Sequence, residues 1–269
     1  MSQDDVTPVD VSVVIVNHNH RRVIEKCFQS LYSLPDRATF EAVLIDNTSA
    51  DGTADWVSEH FPQVLIRRNR ARRGFAANAN SGLRLLRRGR YALLLNPDVI
   101  CLPGLLDALV AFMDGHAGAG IAAPQLSNTD GTRQANGRRF PTPAALAFRA
   151  LRLDDVWQPA SVRRYLMDRG SPGLLEVDWV TGAALMARRA AMESAGLLDE
   201  RYFLYWEDLD WCYRMRRAGW RVYRVPEARA IHAHQREGVR RPFSRAGFEQ
   251  LAGAVRFFRK FGWNAGRAA

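Results

Sequence analysis

Short apolar runs alternate with helical patterns along the first half of the chain. The first run, residues 11–16, is rich in β-branched residues, which is typical of a strand buried on both faces of a parallel sheet. Further runs follow, separated by helical patterns, at 42–45, 64–66, 91–95 and 120–124. This alternation predicts an α/β fold with a mostly parallel central sheet, helices on both faces and right-handed crossovers.

The pattern weakens after residue 125 and returns at Leu174. The stretch 128–143 contains many Asn, Gly and Pro residues, which indicates loops, and 151–173 gives no clear assignment. Beyond Leu174 the pattern predicts strands at 177–180, 183–186, 221–225 and 230–232. It also predicts helices at 189–195 and 207–218, and a basic amphipathic helix at 244–261.

The composition of the 269 residues is that of a folded globular protein. With 47% apolar and 25% charged residues, it argues against disordered, collagen-like and disulfide-rich classes. The three cysteines are far apart and form no C-x-x-C pair, which favours a reducing compartment without a structural zinc site. The sequence contains no apolar run of about 18 residues and no basic N-terminal flank, so a cytoplasmic protein is expected.

Arginine dominates the charge of the chain. Lys and Arg number 38 against 28 Asp and Glu, a net charge of +10, and Lys26 and Lys260 are the only lysines. Such a charge favours anionic partners: nucleotide phosphates, nucleic acid or an anionic membrane surface. Residues 67–90 contain nine arginines and no carboxylate. This stripe is either a solvated face or, where Arg73 and Gly74 precede a helix, a place for phosphate oxygens.

Polar residues follow the predicted strands, where the carboxyl ends of a parallel sheet bind ligands. Asn17, Asp46 and Asp98 all occupy such positions. Asp98, after Asn96 and Pro97, could hold Mg²⁺ or Mn²⁺ when a diphosphate supplies the other oxygens, but a turn or helix-capping role explains the tripeptide alone better. Asp46 could accept a hydrogen bond from a base or a sugar, and an Asx turn accounts for it equally well.

Three carboxylates, those of Glu207, Asp208 and Asp210, lie beside Trp206 and Trp211 at the start of a predicted helix. Successive helical residues point about 100° apart, so the three cannot serve one site. A carboxylate beside apolar rings can have its pKa raised toward the range of a general base, although the helix N-terminus opposes that shift. Acidic residues that complement a helix N-terminus would also explain Glu207, but not the two tryptophans.

His232 and His234 form a second candidate pair. They lie two residues apart, and therefore on one face if the segment is a strand. A neutral imidazole near a metal is a good ligand, whereas an isolated histidine is more often structural. The choice between these roles depends on Asp98.

Several short motifs follow one another in a characteristic order. They are V-V-I-V-N at 13–17, L-I-D-N at 44–47, S-A-D-G-T at 49–53, G-F-A-A-N at 74–78, L-N-P-D at 95–98, T-G at 181–182, L-D-E-R-Y-F at 198–203 and E-D-L-D-W-C-Y-R at 207–214. Their order resembles the family 2 inverting glycosyltransferases of GT-A fold, most closely their rhamnosyltransferase-like branch. The dinucleotide, P-loop and serine-hydrolase motifs are all missing from the sequence, so those classes lose support.

The resemblance implies a nucleotide-sugar donor, a Mg²⁺ or Mn²⁺ ion and direct displacement at the anomeric carbon. Asp208 would be the general base, and the metal would be held by Asp98 and His232, with His234 the competing ligand. The donor site is expected to contain Asn17, Asp46, Arg73, Gly74, Asn78 and Asn96. The acceptor site is expected to contain Trp179, Thr181, Gly182, Trp206 and Glu207. The usual D-x-D is here Asn96-Pro97-Asp98, which makes the requirement for metal less strict.

The implied organisation is an N-terminal tail (1–10), a GT-A catalytic domain (11–240) and a basic helical tail (241–269). Within the domain, 11–125 would bind the nucleotide sugar and 126–240 the acceptor. The implied reaction transfers a sugar, L-rhamnose from dTDP-rhamnose, to a saccharide or polyprenyl-linked saccharide in cell-surface polysaccharide synthesis. The tail could contact the inner face of the membrane or pack on the domain. The alternatives are a sugar nucleotidyltransferase and a basic nucleic-acid-binding protein, neither of which accounts for Glu207 and Asp208.

Overall fold

The computed structural model describes residues 8–85, 88–151, 153, 157, 159–166, 172–233 and 244–266. The N-terminal half builds the parallel part of a central sheet. Its strands are β1 (Val9–Asn17), β2 (Phe40–Asp46), β3 (Leu65–Arg68) and β4 (Gly89–Leu95). The helices that connect them are α1 (Arg21–Tyr32), α2 (Thr53–His60) and α3 (Phe75–Leu85). These elements agree with the alternation in the sequence.

The rest of the chain completes the sheet and adds helices to both of its faces. The strands are β5 (Val99–Cys101), β6 (Ala119–Ser127), β7 (Gly137–Arg138), β8 (Leu175–Val177), β9 (Trp179–Val180), β10 (Ala184–Arg188) and β11 (Arg221–His232). The helices are α4 (Leu105–Gly115), α5 (Pro143–Ala150), α6 (Ala160–Tyr165), α7 (Arg189–Ala195), α8 (Glu207–Arg217) and α9 (Arg245–Phe261). Within the described residues the strand order is β3-β2-β1-β4-β10-β6-β11-β5, with β8 also paired to β11 and a separate β7-β9 ribbon.

The sheet is mostly parallel, as predicted, but several strands run the other way. β10 lies between β4 and β6 and is antiparallel to both, and β5 and β8 are antiparallel to β11. A buried apolar strand has the same sequence pattern in either direction. The sequence pattern therefore did not predict the direction of these strands.

Four short elements were missed by the sequence pattern: β5, β7, α5 and α6. The two strands have three and two residues, too few to show alternation. The start of α5 did carry a signal, because Thr142 caps the helix by accepting a hydrogen bond from the Ala145 N–H, and proline follows at the first helical position. The prolines at 141 and 143 had indicated a loop instead.

Two predicted strand segments also differ from those observed. The predicted strand at 177–180 is divided at the buried Asp178 into β8 and β9, and its two parts pair with different partners. The predicted strands at 221–225 and 230–232 form one strand, β11, whose pairing with β6 shifts register between Val225 and Arg229. The strand therefore continues past Pro226 and brings His232 to the end of the sheet.

Alternate residues of β1 face opposite layers of the core. Val11, Val13 and Ile15 pack with residues of α1, α2 and α4, whereas Val14 packs with residues of α3, α7, α8 and α9. Helices therefore cover both faces of the sheet, as the sequence predicted. None of the helices in the described part of the chain combines the length and the apolar character needed to span a bilayer.

Candidate active site

Asn17 and Asp46 meet at the carboxyl ends of β1 and β2. The two residues are paired across the parallel strands. The Asn17 Nδ2 donates to Asp46 Oδ1 at 3.0 Å and to Ser49 Oγ at 2.8 Å, and both Asn17 and Asp46 are buried. The buried Asn17 Oδ1 accepts no hydrogen bond from the described residues. Because a buried polar atom is expected to have a partner, this oxygen is suited to contact a bound molecule.

The loop before α3 is held by asparagine side chains. Asn47 Nδ2 donates to the Arg73 carbonyl at 2.9 Å, and Asn47 Oδ1 accepts from the Arg73 N–H at 2.9 Å. Asn78, one of the expected donor contacts, is fully buried, donates to the Gly74 carbonyl at 3.0 Å and accepts from Asn69 at 2.6 Å. The described contacts of Asn78 therefore support the loop.

Gly74 lies where this loop meets the segment before α8. A Cβ atom built on Gly74 would lie 2.8 Å from Phe203 Cα and 2.9 Å from its carbonyl oxygen, so only glycine fits without a backbone shift. The Phe75 N–H donates to the same carbonyl at 2.7 Å. The side chain of Arg73 is half-exposed and lies 3.6 Å from Glu200. The expected donor loop is thus fastened to the segment that leads to Asp208.

Asp98 and His232 lie together at the end of the sheet. The antiparallel pairing of β5 with β11 places His232 opposite Val99. The His232 Nε2 is 3.4 Å from Asp98 Oδ1, and both side chains are mostly buried. Burial raises the pKa of Asp98, but the hydrogen bond from His232 and the nearby imidazole charges outweigh it, so the pKa is lowered overall. Asp98 is therefore ionised at neutral pH. His234 lies outside the described residues.

Gln134 fixes the orientation of the His232 ring. The Gln134 Nε2 donates to the His232 carbonyl at 2.8 Å and to Asn128 Oδ1 at 2.8 Å, so the amide nitrogen is identified by two acceptors. Gln134 Oε1 is then the atom 3.0 Å from His232 Nδ1. An amide oxygen can only accept, so the Nδ1 N–H donates to it, and Nε2 is the imidazole atom that faces Asp98.

The pair of Asp98 and His232 fits an open Mg²⁺ or Mn²⁺ site. These ions take one or two protein ligands, mainly carboxylates, when substrate phosphates supply the rest, and neutral imidazole is a common metal ligand. No group of three or more His, Cys, Asp and Glu residues that could hold a metal is found in the described ranges. A carboxylate and an imidazole oriented by Gln134 therefore suit a metal that is shared with a bound diphosphate.

Asp208 is the second residue of α8, after a turn of unusual backbone geometry. Tyr205 and Trp206 have φ values of 69° and 71°, in the left-handed region that non-glycine residues rarely adopt. Such residues cost about 1–3 kcal/mol each and are frequent at functional sites. Asp208 Oδ2 accepts from the Gly182 N–H at 2.9 Å, and Oδ1 accepts from the Leu209 N–H at 2.7 Å. The turn and these two donors set the direction of the carboxylate.

The acidic cluster divides into three different environments. Asp210 is fully buried and pairs with Arg214 at 2.7 Å and Lys260 at 2.6 Å, so it stabilises the fold. Glu207 is 6% exposed, and its Oε2 accepts no hydrogen bond from the described residues. Burial, together with the charge of Asp208, raises the pKa of Glu207 well above its usual range. Asp208 remains partly exposed, which suits a group that must reach a substrate.

The turn at 182–183 connects Asp208 with the strand end that carries Asp98. The Asn96 N–H donates to the Ala183 carbonyl at 2.8 Å, one residue after the Gly182 N–H that binds Asp208. This arrangement follows from the antiparallel pairing of β10 with β4. Asn96 therefore contacts this turn through its backbone, and Asp98 and Asp208 are both attached to the same end of the sheet.

The residues expected to bind the acceptor differ in their contacts with the rest of the protein. Thr181 continues the ribbon of β7 and β9, and its N–H donates to the Asn136 carbonyl at 3.0 Å. Trp179 is buried and donates from Nε1 to the Arg139 carbonyl at 3.0 Å. Trp206 is 8% exposed and donates from Nε1 to Gln250 in α9 at 3.0 Å. The described contacts of Trp206 therefore place its indole in the interface with α9.

Arg138 is a residue of this region that the sequence did not single out. Its guanidinium lies over the rings of Tyr165 and Trp179, 5.7 Å and 5.4 Å from their centroids. Burial raises the pKa of Asp208, whereas hydrogen bonds from the Gly182 and Leu209 N–H groups and the positive charge of Arg138 act in the opposite direction, with burial the larger effect. Gln134 was missed in the same way, because both residues belong to a stretch whose composition indicates a loop.

The large, mostly parallel sheet with helices on both faces is that of a glycosyltransferase of GT-A fold. The chain belongs to glycosyl transferase family 2, whose family model matches residues 12–173. It is 30% identical over 251 residues to the N-acetylglucosaminyl-diphospho-decaprenol L-rhamnosyltransferase of Mycobacterium tuberculosis, covering 89% of this chain and 80% of that protein. It is 25% identical over 227 residues to the hexosyltransferase Agl10 of Haloferax volcanii, covering 83% and 67% of the two chains.

Solved structures agree on the fold. GalNAc-T7 with UDP, GalNAc and Mn²⁺ matches 95% of this chain with a TM-score of 0.68 and 18% identity, and this chain covers 48% of that one. The mannosyltransferase PcManGT of Pyrobaculum calidifontis, in complex with GDP-Man and Mn²⁺, matches 97% of this chain with a TM-score of 0.59 and 17% identity, and 69% of its own chain is covered. These similarities confirm the predicted GT-A fold.

Proposed function

We propose that this glycosyltransferase transfers L-rhamnose from dTDP-rhamnose, with inversion, to a saccharide linked to a polyprenyl diphosphate. The donor sugar and the lipid-linked acceptor are supported by the name of the mycobacterial relative, which is 30% identical over 89% of this chain. The observation that carries the proposal is the turn at 182–183, because it hydrogen-bonds to Asp208 and to Asn96, the residue two positions before Asp98. These hydrogen bonds support the proposal that a general base and a site for the leaving nucleotide lie at the same end of the sheet.

In this proposal Asp208 accepts the proton of the acceptor hydroxyl as the oxygen attacks the anomeric carbon. The N–H groups of Gly182 and Leu209 hold the carboxylate in place, and its partial exposure lets it reach the acceptor. Attack from the face opposite the leaving nucleotide inverts the anomeric carbon. Asp98 and His232 would hold a divalent cation, which when bound supplies positive charge to the departing diphosphate. Asn17 and Asp46 would contact the nucleoside.

The two halves of the proposed site belong to one sheet. We assign the nucleotide sugar to 11–125 and the acceptor to 126–240, and the boundary falls within β6. Because β10 from the second half is inserted between β4 and β6, backbone hydrogen bonds of the sheet join the two halves. We infer that residues 11–240 form one catalytic domain and that its location is the cytoplasm.

The test is a panel of nucleotide sugars, with and without Mn²⁺, offered to the purified chain with a polyprenyl-diphosphate-linked saccharide. dTDP-rhamnose should be consumed and the acceptor extended. Asp208→Asn should keep donor binding and lose about 10²–10⁴-fold in turnover. Asp98→Ala should weaken Mn²⁺-dependent donor binding in calorimetry. Glu59→Gln, an exposed carboxylate on α2, is the matched control and should change neither. Unchanged turnover in Asp208→Asn would remove it as the base.

The alternatives make different predictions in the same assay. A nucleotidyltransferase would release pyrophosphate from a nucleoside triphosphate and a sugar phosphate. A nucleic-acid-binding protein would use the arginines of residues 67–90, and binding would fall steeply with salt. Five of those arginines pair with carboxylates, which leaves less charge for phosphates: Arg68, Arg73, Arg84, Arg88 and Arg90. The geometry therefore favours the transferase.

A further inference from the structure

The C-terminal helix α9 carries a second apolar face that points away from the protein. Phe248, Leu251 and Val255 are 61%, 64% and 40% exposed, and their spacing of three and four residues places them on one side of the helix. Just beyond the helix, Trp263 is 62% exposed and stacks on Phe258 with ring centroids 5.4 Å apart. These four residues are called the outer stripe below.

The opposite side of α9 is already used for packing. Phe257 and Phe258 are 0% and 3% exposed within the core. Gly253 lies so close to the Trp206 ring that a Cβ there would meet it, and the Lys260 ammonium contacts both Asp199 and Asp210. The helix is therefore fixed to the domain by its inner side. Within the outer stripe, Trp263 stacks on the buried Phe258, whereas Phe248, Leu251 and Val255 face water, and contiguous exposed apolar residues indicate a binding surface.

The charge of the helix indicates what the outer stripe binds. Arg259 is four residues after Val255, on the same side, is exposed, and forms no ion pair with a described residue. The helix contains four basic residues and one acidic residue, Glu249, and the whole chain has a net charge of +10. An apolar line with an aromatic residue and arginine at its edge is typical of a helix that lies in the interface of an anionic membrane. Four partly exposed side chains offer far less than the ~800 Å² per partner that a stable protein interface buries.

The helix also lies next to the proposed base. Its inner side packs on Trp206, which is two residues before Asp208. A bilayer against the outer stripe would thus lie on the far side of a single helix from the turn that positions Asp208. This places the acceptor side of the domain near lipid headgroups.

We propose that the outer stripe docks this protein on the surface of an anionic lipid bilayer, with the side chains of Phe248, Leu251, Val255 and Trp263 inserted among the headgroups. The docking itself does not require the proposed reaction. Its consequence, the presentation of a membrane-bound acceptor to Asp208, rests on the proposed function.

The test is flotation of the purified full chain with vesicles of phosphatidylglycerol and phosphatidylcholine, and with vesicles of phosphatidylcholine alone, without donor or acceptor. The wild type should float with the anionic vesicles and be released by salt. Leu251→Ser/Val255→Ser should bind at least about tenfold more weakly, and Arg259→Gln about fivefold more weakly. Leu65→Ser/Leu85→Ser, which removes two exposed leucines elsewhere, should bind like the wild type.

Three results would overturn the proposal. The first is that the wild type does not bind anionic vesicles. The second is that the Leu251→Ser/Val255→Ser variant binds them as well as the control does. The third is that the wild type is a dimer in solution and this variant loses dimer formation but keeps vesicle binding. Thermal unfolding of each variant shows that its fold is intact. Because no sugar transfer is measured in flotation, a failure of the proposed reaction would leave this result interpretable, and a failure of docking would not alter the nucleotide-sugar assay of the purified chain.

Discussion

At the scale of single residues, the polar side chains around the sheet end serve two purposes. Asn47 and Asn78 use their amides to hold the loop before α3, as their contacts with Arg73 and Gly74 show. Asn17 and Glu207 each keep one buried oxygen without a partner among the described residues. Loss of the first kind of residue should disturb the shape of the site, whereas loss of the second kind should disturb its binding or its proton transfer.

Arg138 should influence the pKa of Asp208, the proposed base. The positive charge of Arg138 lowers the pKa of Asp208, against the larger effect of burial, which raises it. A base must be deprotonated, so Arg138→Met should raise the pKa of Asp208 further and move the acid limb of kcat/KM to higher pH. Arg37→Met removes an exposed arginine elsewhere and is the control, with an unmoved limb. An Arg138→Met profile that coincides with the wild type would contradict this coupling.

Gln134 should act on metal binding through His232. Gln134→Leu removes the acceptor for His232 Nδ1, which lies 3.0 Å from Gln134 Oε1 in the wild type. The imidazole would then lose its fixed orientation, and Mn²⁺ should bind about 10–100-fold more weakly. Calorimetric titration of Mn²⁺ in the presence of dTDP measures this, with the exposed Gln63→Leu as control. If Asp98→Ala abolished Mn²⁺ binding while Gln134→Leu left it intact, a positioning role for Gln134 would be wrong.

At the scale of elements, two glycines allow α3 and the residue before it to pack closely against two different neighbours. Near its start, Gly74 meets the backbone of Phe203, which leads to α8. Towards its end, Gly82 meets the side chain of Val14 in β1. Neither residue has a positive φ, so close approach of another segment, and not backbone freedom, explains the glycine. The helix therefore couples the packing of the sheet to the geometry of the site.

Substitution of these two glycines should separate stability from activity. Gly82→Ala forces Val14 to move and should cost about 1–3 kcal/mol of unfolding free energy. Gly74→Ala collides with backbone instead, so the turn before Asp208 must shift and turnover should fall at least about tenfold. Denaturant unfolding and initial rates measure the two effects. Gly118→Ala, whose new Cβ would meet nothing within 4 Å, is the control. A fully active Gly74→Ala variant would show that the contact with Phe203 does not position α8.

At the scale of the whole molecule, one cation joins the C-terminal helix to the domain. Lys260 Nζ lies 2.6 Å from Asp210 in α8 and 2.7 Å from Asp199 in the segment before it. The hydrogen bond from Arg201, and after it that from Lys260, outweighs burial and lowers the pKa of Asp199. Since α9 also covers Trp206, this contact links the tail to the turn that carries the proposed base.

Lys260→Met should therefore destabilise the fold by about 3 kcal/mol, because it leaves the buried Asp210 with one cation instead of two. The exposed Arg259→Met is the control and should leave the melting temperature unchanged. The ionised Asp199 contributes stability that is fully present above its unfolded pKa of about 3.9 and is lost as the pH falls through its lower folded pKa. The difference in melting temperature between wild type and Lys260→Met should consequently shrink in acid. A constant difference would contradict the role of Asp199.

Local patterns in the sequence determined much of this protein. The buried apolar runs predicted β1, β2 and β4, and the polar residues directly after them predicted the positions of Asn17, Asp46 and Asp98, because residues that end neighbouring parallel strands must share one edge. The order of short motifs indicated the family. These signals depend only on neighbours along the chain, on strand period and on the chemistry of turn residues, so they are present without a fold.

Only the tertiary structure decided which distant residues meet. Gln134 and His232 are 98 positions apart, and their contact depends on how β6 and β11 lie side by side. The direction of β10 decided that Gly182 would hold Asp208, and the packing of α9 decided that Trp206 would be covered and Lys260 paired. Strand order and helix packing arise from burial summed over the whole chain. No single segment carries that information, and so composition suggested a loop where Gln134 contacts His232 and Arg138 lies over the ring of Trp179.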